Sequence, residues 1–216
     1  MKAAVVLMGL SFGKNDKGDD VGFTEASNTL KPNVIDVNNA DVFFHTWKHN
    51  DSHINNILDI YSPKMHFAQE QIMFAEDASV KYHQIMSRWF SHKQALKLVQ
   101  HYENDNNFQY DYVFVTRFDC NYFTPFNFSE YNNNVFYTSN WHEWALETGY
   151  LDYWFLSNSI NMRKYCDVFD KLTTDYMDEC DQSNHWIAKR CAQEYGFDVK
   201  HIKEEHKDFK LSLRNY

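Results

Sequence analysis

The fold of this chain is decided by the stretch Gln109-Tyr110-Asp111-Tyr112-Val113-Phe114-Val115-Thr116-Arg117-Phe118-Asp119-Cys120-Asn121. Its centre, Tyr112 to Thr116, is a short run of β-branched and aromatic residues that predicts a buried strand. Arg117 and Asp119 follow directly, at the strand end where open α/β sheets keep their ligand crevice. Asp119 and Asn121 stand two residues apart, a spacing that lets two oxygen ligands point at one hard cation. Taken alone, the motif fits a surface turn with an Arg–Asp pair equally well.

Length and composition indicate one globular domain. The chain has 216 residues, of which 44% are hydrophobic and 18% aromatic, so it can bury a sizeable core. It contains only three prolines and six glycines, which leaves little material for flexible linkers. The formal net charge of −9 argues against a nucleic-acid partner, although local arginines can still hold a diphosphate in an acidic chain. We therefore predict a single domain over residues 1–216.

The cysteines and the first residues indicate an intracellular protein. The four cysteines show no Cys-x-x-Cys spacing and do not form the pattern of a disulfide framework. Met1-Lys2 and the apolar residues Ala3 to Leu10 could pass for a minimal signal peptide, but no small-residue cleavage site follows them. A first β-strand is the preferred interpretation of this run. No segment approaches the roughly 20 apolar residues of a membrane span, so we expect a soluble, cytoplasmic protein.

Strands and helices alternate along the sequence. Apolar or alternating runs predict strands at residues 3–8, 40–47, 64–67, 112–116, 134–138, 153–156 and 199–202. Helical spacing of apolar residues predicts helices at 54–61, behind an Asp51-Ser52 cap, at 85–102, at 162–176 behind a cap near Ser157 to Ser159, and at 183–195. Residues 15–33 are interpreted as a surface excursion, and about residues 203–216 as a peripheral terminal segment. The alternation indicates an α/β fold with a largely parallel sheet.

The loop after the first strand is a candidate nucleotide-binding element. Gly9-Leu10-Ser11-Phe12-Gly13-Lys14 resembles a phosphate-binding loop, but its spacing is one residue short and the Ser or Thr of that motif is missing. A glycine here still lets the backbone approach a nucleotide closely. Because this loop faces the same crevice as Asp119, we expect Gly9 and Ser11 to lie against the nucleotide. Arg88, in an early turn of the long helix, is a further candidate for nucleotide binding, although most polar residues in those turns are interpreted as the solvated face of the helix.

Two further patterns allow both a functional and a structural interpretation. Tryptophans in an aromatic loop are typical of a platform for sugar rings, but buried anchors would look the same. The candidate platform residues are Trp141, Trp144 and Trp154. His45, His49 and His53 recur every four residues, but the first belongs to a predicted strand and the last to a predicted helix. A zinc site shared by all three is therefore disfavoured.

A set of signposts along the chain resembles a known enzyme family. In order, they are the apolar opening strand ending at Gly9, Asp41 to Trp47, Tyr61-Ser62-Pro63-Lys64, Ser87 to Leu98, Tyr110 to Asp119, and Asp152 to Ser157. Over roughly residues 1–200 the pattern is similar to the small GT-A-like glycosyltransferases of polysaccharide gene clusters and of large algal (chlorella) viruses. The resemblance implies a GT-A-like α/β fold with a mostly parallel central sheet flanked by helices.

The resemblance also implies an activity and a setting. The activity is metal-dependent transfer of a sugar from a nucleotide-diphosphate sugar, with a UDP-sugar favoured, to a hydroxyl group of a glycan. The implied cofactor is Mn²⁺ or Mg²⁺. The location would be the host cytoplasm if the chain is encoded by a virus.

Particular residues receive roles from the same resemblance. Asp119 would be the metal-binding acid, with Asn121 where the family has a second acid or an apolar residue, and His185 near a late metal or phosphate ligand. Asp152 matches an acidic position that faces donor and acceptor. The cation Arg117 could bind the departing nucleoside diphosphate and stabilise its negative charge. Asp152 would be the general base if transfer inverts the anomeric centre, and would hold donor hydroxyls if transfer retains it.

Two other classes of protein compete with a transferase. The tryptophans suggest a non-catalytic glycan-binding module, but such modules are usually rich in β-structure, whereas this chain alternates strands and helices. A nucleotide-binding hydrolase of phosphate esters would need a nucleophile or a second acidic cluster near Asp119, and the sequence offers neither. A glycosyltransferase is the preferred prediction.

Overall fold

The computed structural model describes residues 1–14, 20–76, 79–140 and 149–212. Its strands are β1 (Ala3–Gly9), β2 (Phe12–Lys14), β3 (Asp20–Gly22), β4 (Asp41–Trp47), β5 (Met65–Gln69), β6 (Tyr112–Arg117), β7 (Cys120–Tyr122), β8 (Phe136–Asn140), β9 (Trp154–Ser157), β10 (Val199–Glu204) and β11 (Phe209–Leu211). Its α-helices are α1 (Phe23–Leu30), α2 (Asp51–Tyr61), α3 (Val80–Asn106), α4 (Ser159–Tyr165), α5 (Thr174–Glu179) and α6 (Asn184–Glu194). A π-helical turn lies at Lys31–Ile35, and 3₁₀ turns lie at Asp36–Asn38, Phe128–Glu130 and Cys166–Lys171.

The strands of the described ranges form one central sheet and two small ones. Seven strands make the central sheet, in the order β5-β4-β1-β6-β9-β8-β10. Neighbouring strands in it are parallel, except where β9 pairs with β6 and β8. β2 pairs with β3, and β11 with β7, in antiparallel two-stranded sheets. The predicted α/β class with a mostly parallel central sheet is therefore confirmed.

Helices flank both faces of this sheet. Successive side chains of a strand point to opposite faces, so each central strand contributes to two cores. Leu7 and Phe44 belong to the core that also contains residues of α1 and α2. Val6 and Phe43 belong to the core that also contains residues of α3, α4 and α6. β1 is buried on both faces, which explains its uninterrupted apolar sequence and confirms the strand predicted at residues 3–8.

The order of the strands creates a crevice beside β1. This strand pairs with β4 on one side and with β6 on the other, so the chain crosses over in opposite directions from it. Met8, near the end of β1, pairs with His45 of β4 and with Arg117 of β6. In open α/β sheets, ligands bind at such a topological switch point, outside the carboxyl ends of the strands. The fold therefore gathers the ends of β1, β4 and β6 around one candidate ligand site.

The antiparallel strand β9 brings another loop to the same edge of the sheet. Thr116, near the end of β6, pairs with Trp154, the first residue of β9. The start of β9 therefore lies where β6 ends. Asp152, two residues before Trp154, consequently reaches the carboxyl edge of the parallel strands, although it precedes its own strand.

The predicted surface excursion at residues 15–33 is wrong for its second half. Residues 23–30 form α1, which buries Phe23, Ala26 and Leu30. These positions follow helical spacing, but the polar residues between them made the segment read as a loop. Burial of one narrow apolar stripe is enough to hold so short a helix on a sheet.

Two helix boundaries also differ from the prediction. The helix predicted at 162–176 is broken into α4, a 3₁₀ turn and α5. The break falls at Thr173, which is extended and caps α5 by accepting a hydrogen bond from the backbone N–H of Tyr176. α2 is capped by Asn50, whose side chain accepts from the N–H of His53, and not by Asp51 or Ser52.

As far as residue 212, the C-terminal segment contributes to the core and is not peripheral. β11 pairs with β7, and the side chains of Phe209 and Leu211 are buried. Phe209 lies against the rings of Tyr122, Tyr153 and Trp154. Apolar residues are sparse in this segment, but Phe209 and Leu211 stand two positions apart, on one face of a strand.

The four cysteines form no disulfide bond. Cys120, Cys166, Cys180 and Cys191 are buried and free. Burial raises the pKa of the Cys120 thiol to about 12, so it is protonated at neutral pH and unreactive.

No helix within the described residues is long and apolar enough to cross a membrane.

We expect Phe209→Ala to lower the free energy of unfolding by about 3–5 kcal/mol, because it removes a fully buried ring. Urea unfolding measures this loss. Phe123→Ala makes the same substitution at a ring that is 43% exposed and should change stability by less than about 1 kcal/mol. Equal effects of the two substitutions would contradict a structural role for the C-terminal strand.

Candidate active site

A cavity of about 420 Å³ lies at the carboxyl ends of β1, β4 and β6, and we call it the switch-point cavity. Parts of α3 and the first residue of α6 close its sides. The residues that line it are Met8, Gly9, Leu10, Lys14, Trp47, Gln71, Val80, His83, Gln84, Ser87, Arg88, Arg117, Asp152 and Asn184. Four of the residues predicted to form the site, Gly9, Arg88, Arg117 and Asp152, are therefore brought together in one cavity.

A buried carboxylate stands at the centre of the site. Asp152 is 4% exposed, and its Oδ2 accepts a hydrogen bond from Nε of Arg88 at 3.2 Å. Arg88 also donates from Nη2 to the main-chain oxygen of Asp152 at 2.7 Å. On the other side, Nδ1 of His185 lies 3.1 Å from Oδ1 of Asp152. Burial alone would raise the pKa of Asp152, but His185 and Arg88 outweigh it and hold that pKa well below its usual range.

The position of His185 is set by its neighbours. Its Nδ1 also lies 3.1 Å from the main-chain oxygen of Tyr150. Both partners of this nitrogen are acceptors, so Nδ1 carries the proton. The two segments approach closely because residue 149 is a glycine with φ of +101°, where a Cβ atom would lie 2.5 Å from the carbonyl of His185. The loop that carries Asp152 is thereby fixed against the start of α6.

The second charged pair follows β6. Arg117 donates from Nε and Nη2 to the two carboxylate oxygens of Asp119, at 2.8 and 2.7 Å. Such a fork is the strongest geometry for an Arg–carboxylate pair. Burial opposes the charge on Arg117, but Asp119 outweighs it and raises the pKa of the guanidinium. Arg117 lines the cavity, whereas Asp119 lies behind it as the partner that orients it.

The end of β1 is fixed by a chain of hydrogen bonds, which we call the relay. Gly9 has φ of +96°, which strongly favours glycine, and its N–H donates to Oγ of Ser91 at 2.7 Å. The same hydroxyl lies 2.7 Å from Nδ1 of His45. His45 is fully buried, and desolvation lowers its pKa to about 4, so it is neutral at physiological pH. The relay ties the ends of β1 and β4 to α3.

Ser11 does not join the cavity, although the sequence predicted it beside the nucleotide. Its hydroxyl is fully buried, 2.7 Å from Oγ1 of Thr46 and 2.9 Å from Nε2 of His53. The reason is a bend of the chain after Gly9, which turns the next polar side chain towards α2. His53 is consequently a partner of Ser11, and His45 is a partner of Ser91. The described residues bring no three His, Cys, Asp or Glu side chains together as a metal site, so the three histidines do not form one.

Two lining residues carry buried polar atoms that the described residues leave without a hydrogen bond. They are Nη1 of Arg88 and Oδ1 of Asn184. Buried polar groups in folded proteins are nearly always paired, so such atoms beside a cavity favour a polar ligand. Asn184 was not predicted as a site residue. The feature that could have indicated it is its place in the first turn of α6, next to the predicted site residue His185.

The described residues do not fit the metal site predicted from the resemblance. A divalent cation of this kind needs several oxygen ligands at once. Both oxygens of Asp119 are bound to Arg117. Asn121 accepts a hydrogen bond from Thr29 and donates to Ser212, so both ends of its amide already have partners. Nδ1 of His185 lies on Asp152 and not on Asp119.

The predicted sugar platform is corrected at one position. Trp154 is fully buried and packs against Phe114, Phe126 and Phe209, so it belongs to the core. The apolar run that contains it is a strand buried on both faces, which explains the error. Trp141 and Trp144 lie outside the described residues.

A second cavity of about 660 Å³ lies beside the β2–β3 hairpin. The residues that line it are Phe12, Gly13, Lys14, Gly22, Phe23, Thr24, Glu25, His53, Asn56 and Ser212. Lys14 lines both cavities, so the two are neighbours. The switch-point cavity is the one that contains the buried charges.

Comparison with solved structures finds a similar fold in a protein described as a "putative nucleotide-diphospho-sugar transferase" from Desulfovibrio desulfuricans G20. The two chains share 12% sequence identity, with a TM-score of 0.47, and the match covers 94% of this chain and 81% of that one. No protein-family model and no curated protein matches the chain. A likeness at this level assigns no activity, so the function has to be argued from the site.

We expect Asp152→Asn to lower the free energy of unfolding by about 3–5 kcal/mol at neutral pH, because it leaves Arg88 buried without its charged partner. The pKa of Asp152 is lower in the folded chain than the value of about 3.9 in the unfolded chain, so its contribution is lost as the pH falls below that value. The gap between wild type and variant should therefore be constant above about pH 5 and shrink below about pH 4.

Urea unfolding of both proteins across this pH range measures the gap. Asp170→Asn is the matched control, because Asp170 pairs with Lys93 at a half-exposed site. Its effect should be less than about 1 kcal/mol. A difference in the free energy of unfolding between wild type and Asp152→Asn that does not change with pH would contradict an ionised Asp152 stabilised by Arg88 and His185.

Proposed function

We propose that the chain is a glycosyltransferase that moves a sugar from a nucleotide-diphosphate sugar to a hydroxyl group of a glycan. One observation carries the proposal. A cavity at the switch point of a mostly parallel sheet is lined by two arginines and a buried carboxylate, with a glycine at the end of β1. This is the position where open α/β folds bind nucleotides, and the residue types suit a diphosphate and a sugar.

The arginines are the proposed diphosphate-binding groups. A guanidinium offers planar pairs of N–H donors that match phosphate oxygens. Arg88 and Arg117 line the same cavity from α3 and β6, so one diphosphate can contact both. The cavity is partly enclosed by protein, which strengthens electrostatic attraction relative to water. Gly9 lets the backbone of the β1 loop approach the same ligand.

The reaction breaks the bond between the anomeric carbon and the phosphate oxygen and forms a bond to the acceptor oxygen. The departing nucleoside diphosphate gains negative charge, which the fixed guanidinium groups stabilise. The acceptor hydroxyl loses its proton, either to a base or to the departing phosphate oxygen. Asp152 is poorly suited to be that base, because its pKa is held low and both its oxygens have partners. This supports the second of its predicted roles, binding of donor hydroxyls.

Binding of a nucleotide is the first property to test. We expect calorimetric titration with UDP and GDP to show binding, with UDP favoured by the sequence resemblance. The titrations are run with and without Mn²⁺, because the resemblance implies a metal that the described side chains do not fit. A screen of sugar-nucleotides for slow hydrolysis then identifies the donor. A glycan-binding module would ignore both nucleotides, and that result would remove the proposal.

Gly9→Val tests the place of the nucleotide. Apart from its chain neighbours, no described residue has an atom within 4 Å of a Cβ built at Gly9, so the new side chain would extend into open space and crowd the ligand. We expect the donor KM to rise by about tenfold or more, because crowding of the ligand weakens donor binding and a loss of about 1.4 kcal/mol is tenfold in affinity. Gly13→Val is the matched control. Gly13 has a similar φ of +102° and similar open space, but it lines the other cavity.

Both substitutions strain the backbone, so both should lower thermal stability to a similar extent. Only Gly9→Val should alter the donor KM. An equal change of KM in the two variants would show that the nucleotide does not lie at the end of β1.

A further inference from the structure

We propose that Arg88 and Arg117 themselves hold the diphosphate and balance its departing charge, so that the site works without a divalent cation. The inference rests on the proposed function, because it names the groups that bind the donor. It differs from what the sequence resemblance implies, which is a metal ion on Asp119, Asn121 and His185. The difference follows from what each of these side chains does in the fold.

The carboxylate that the resemblance assigns to the metal is already paired with a positively charged side chain. Asp119 receives two short hydrogen bonds from Arg117, one on each oxygen. It is 6% exposed, so little solvent competes for those oxygens. To bind a cation, it would have to leave a bidentate pair in a buried setting, where separated charges are costly. The amide of Asn121 accepts a hydrogen bond from Thr29 of α1 and donates one to Ser212, the residue after β11.

The two arginines have the donors that a diphosphate needs. Nη1 of Arg88 is buried, and no described residue accepts a hydrogen bond from it. Arg117 binds Asp119 through Nε and Nη2, and Nη1 takes no part in that pair. Each arginine therefore keeps an amino group for a ligand while a carboxylate fixes its direction. This arrangement is preorganised, because the carboxylates already fix the direction of both guanidinium groups.

The charge balance of Arg88 favours a second anion. Burial lowers the pKa of this guanidinium, and Asp152 only partly offsets the effect. Arg117 adds a second positive charge nearby, which lowers the pKa of Arg88 further. A nucleotide sugar carries an ionised oxygen on each phosphate. These negative charges would stabilise the charged form of Arg88 against both its burial and the repulsion from Arg117. The geometry and the electrostatics thus point to the same ligand.

Binding of inorganic pyrophosphate to the full chain tests the inference directly. The protein is treated with EDTA, the chelator is removed, and pyrophosphate and UDP are titrated with and without added Mn²⁺. We expect both ligands to bind without metal, with affinities within about threefold of those in Mn²⁺, because the arginines supply the charge. Titration with Mn²⁺ alone should show no binding.

Arg88→Gln and Arg117→Gln should each weaken metal-free binding of pyrophosphate by about ten- to a hundredfold, the usual effect of losing a hydrogen bond to a charged group. Arg190→Gln is the matched control. It removes a guanidinium that pairs with Glu179 and Glu194 on the surface of α6, and it should leave binding unchanged. Thermal unfolding of each variant separates loss of a ligand contact from loss of the fold.

Arg88→Gln leaves Asp152 without its arginine, so a second variant protects the test against misfolding. Arg88→Lys keeps the charge beside Asp152 but loses the planar fork. It should fold, and it should still weaken pyrophosphate binding by about threefold or more. Wild-type affinity in both Arg88→Lys and Arg117→Gln would overturn the inference.

The outcomes separate this inference from the proposed function. Sugar transfer that occurs with Mn²⁺ and is abolished by EDTA would overturn the inference and leave the glycosyltransferase in place. Arginine-dependent, metal-free binding of pyrophosphate without transfer from any sugar-nucleotide would support the inference and remove the proposed function. Absence of pyrophosphate binding under all conditions would overturn the inference, whatever the donor screen shows.

Discussion

The site depends on the compensation of one buried carboxylate. Asp152 cannot stay ionised inside the protein unless donors surround it, and Arg88 from α3 and His185 from α6 supply them. Arg88 also binds the main-chain oxygen of the same residue. These contacts hold the loop before β9 between two helices, and Gly149 permits the close approach that they require. The walls of the cavity are therefore positioned by electrostatics as much as by apolar packing.

Most of the central sheet could be predicted from the sequence, because all its strands except β5 and β10 are largely buried and most of them are apolar runs. β1 and β6 are of this kind, and so is β9. The direction of β9 could not be predicted, since a strand that is buried on both faces looks the same in either orientation. α1 and β11 were missed for a different reason. Each presents only two or three apolar residues, and tertiary contacts decide its structure.

The residues of the candidate site could be predicted where they stand at the end of a strand. Arg117 and Gly9 stand at the ends of β6 and β1, so topology alone places them in the crevice. Arg88 and Asp152 are brought there by packing, and only the resemblance or their charge pointed to them. Asn121 failed as a metal ligand because β7 begins at Cys120 and turns its amide to the chain's C-terminal strand. Spacing along the sequence could not reveal that the strand pair exists.

The relay from Gly9 through Ser91 to His45 makes the mouth of β1 sensitive to acid. His45 has a pKa of about 4 in the folded chain, against about 6.5 for an unfolded one. Between these values the unfolded chain takes up a proton that the folded chain refuses, so acidification costs about 1.4 kcal/mol per pH unit at this residue alone. Burial also lowers the pKa of His53, the partner of Ser11 on the same loop. In mildly acidic surroundings, before the carboxylates of the protein begin to titrate, proton uptake by the unfolded chain would thus lower the stability of the fold that holds the loop after β1.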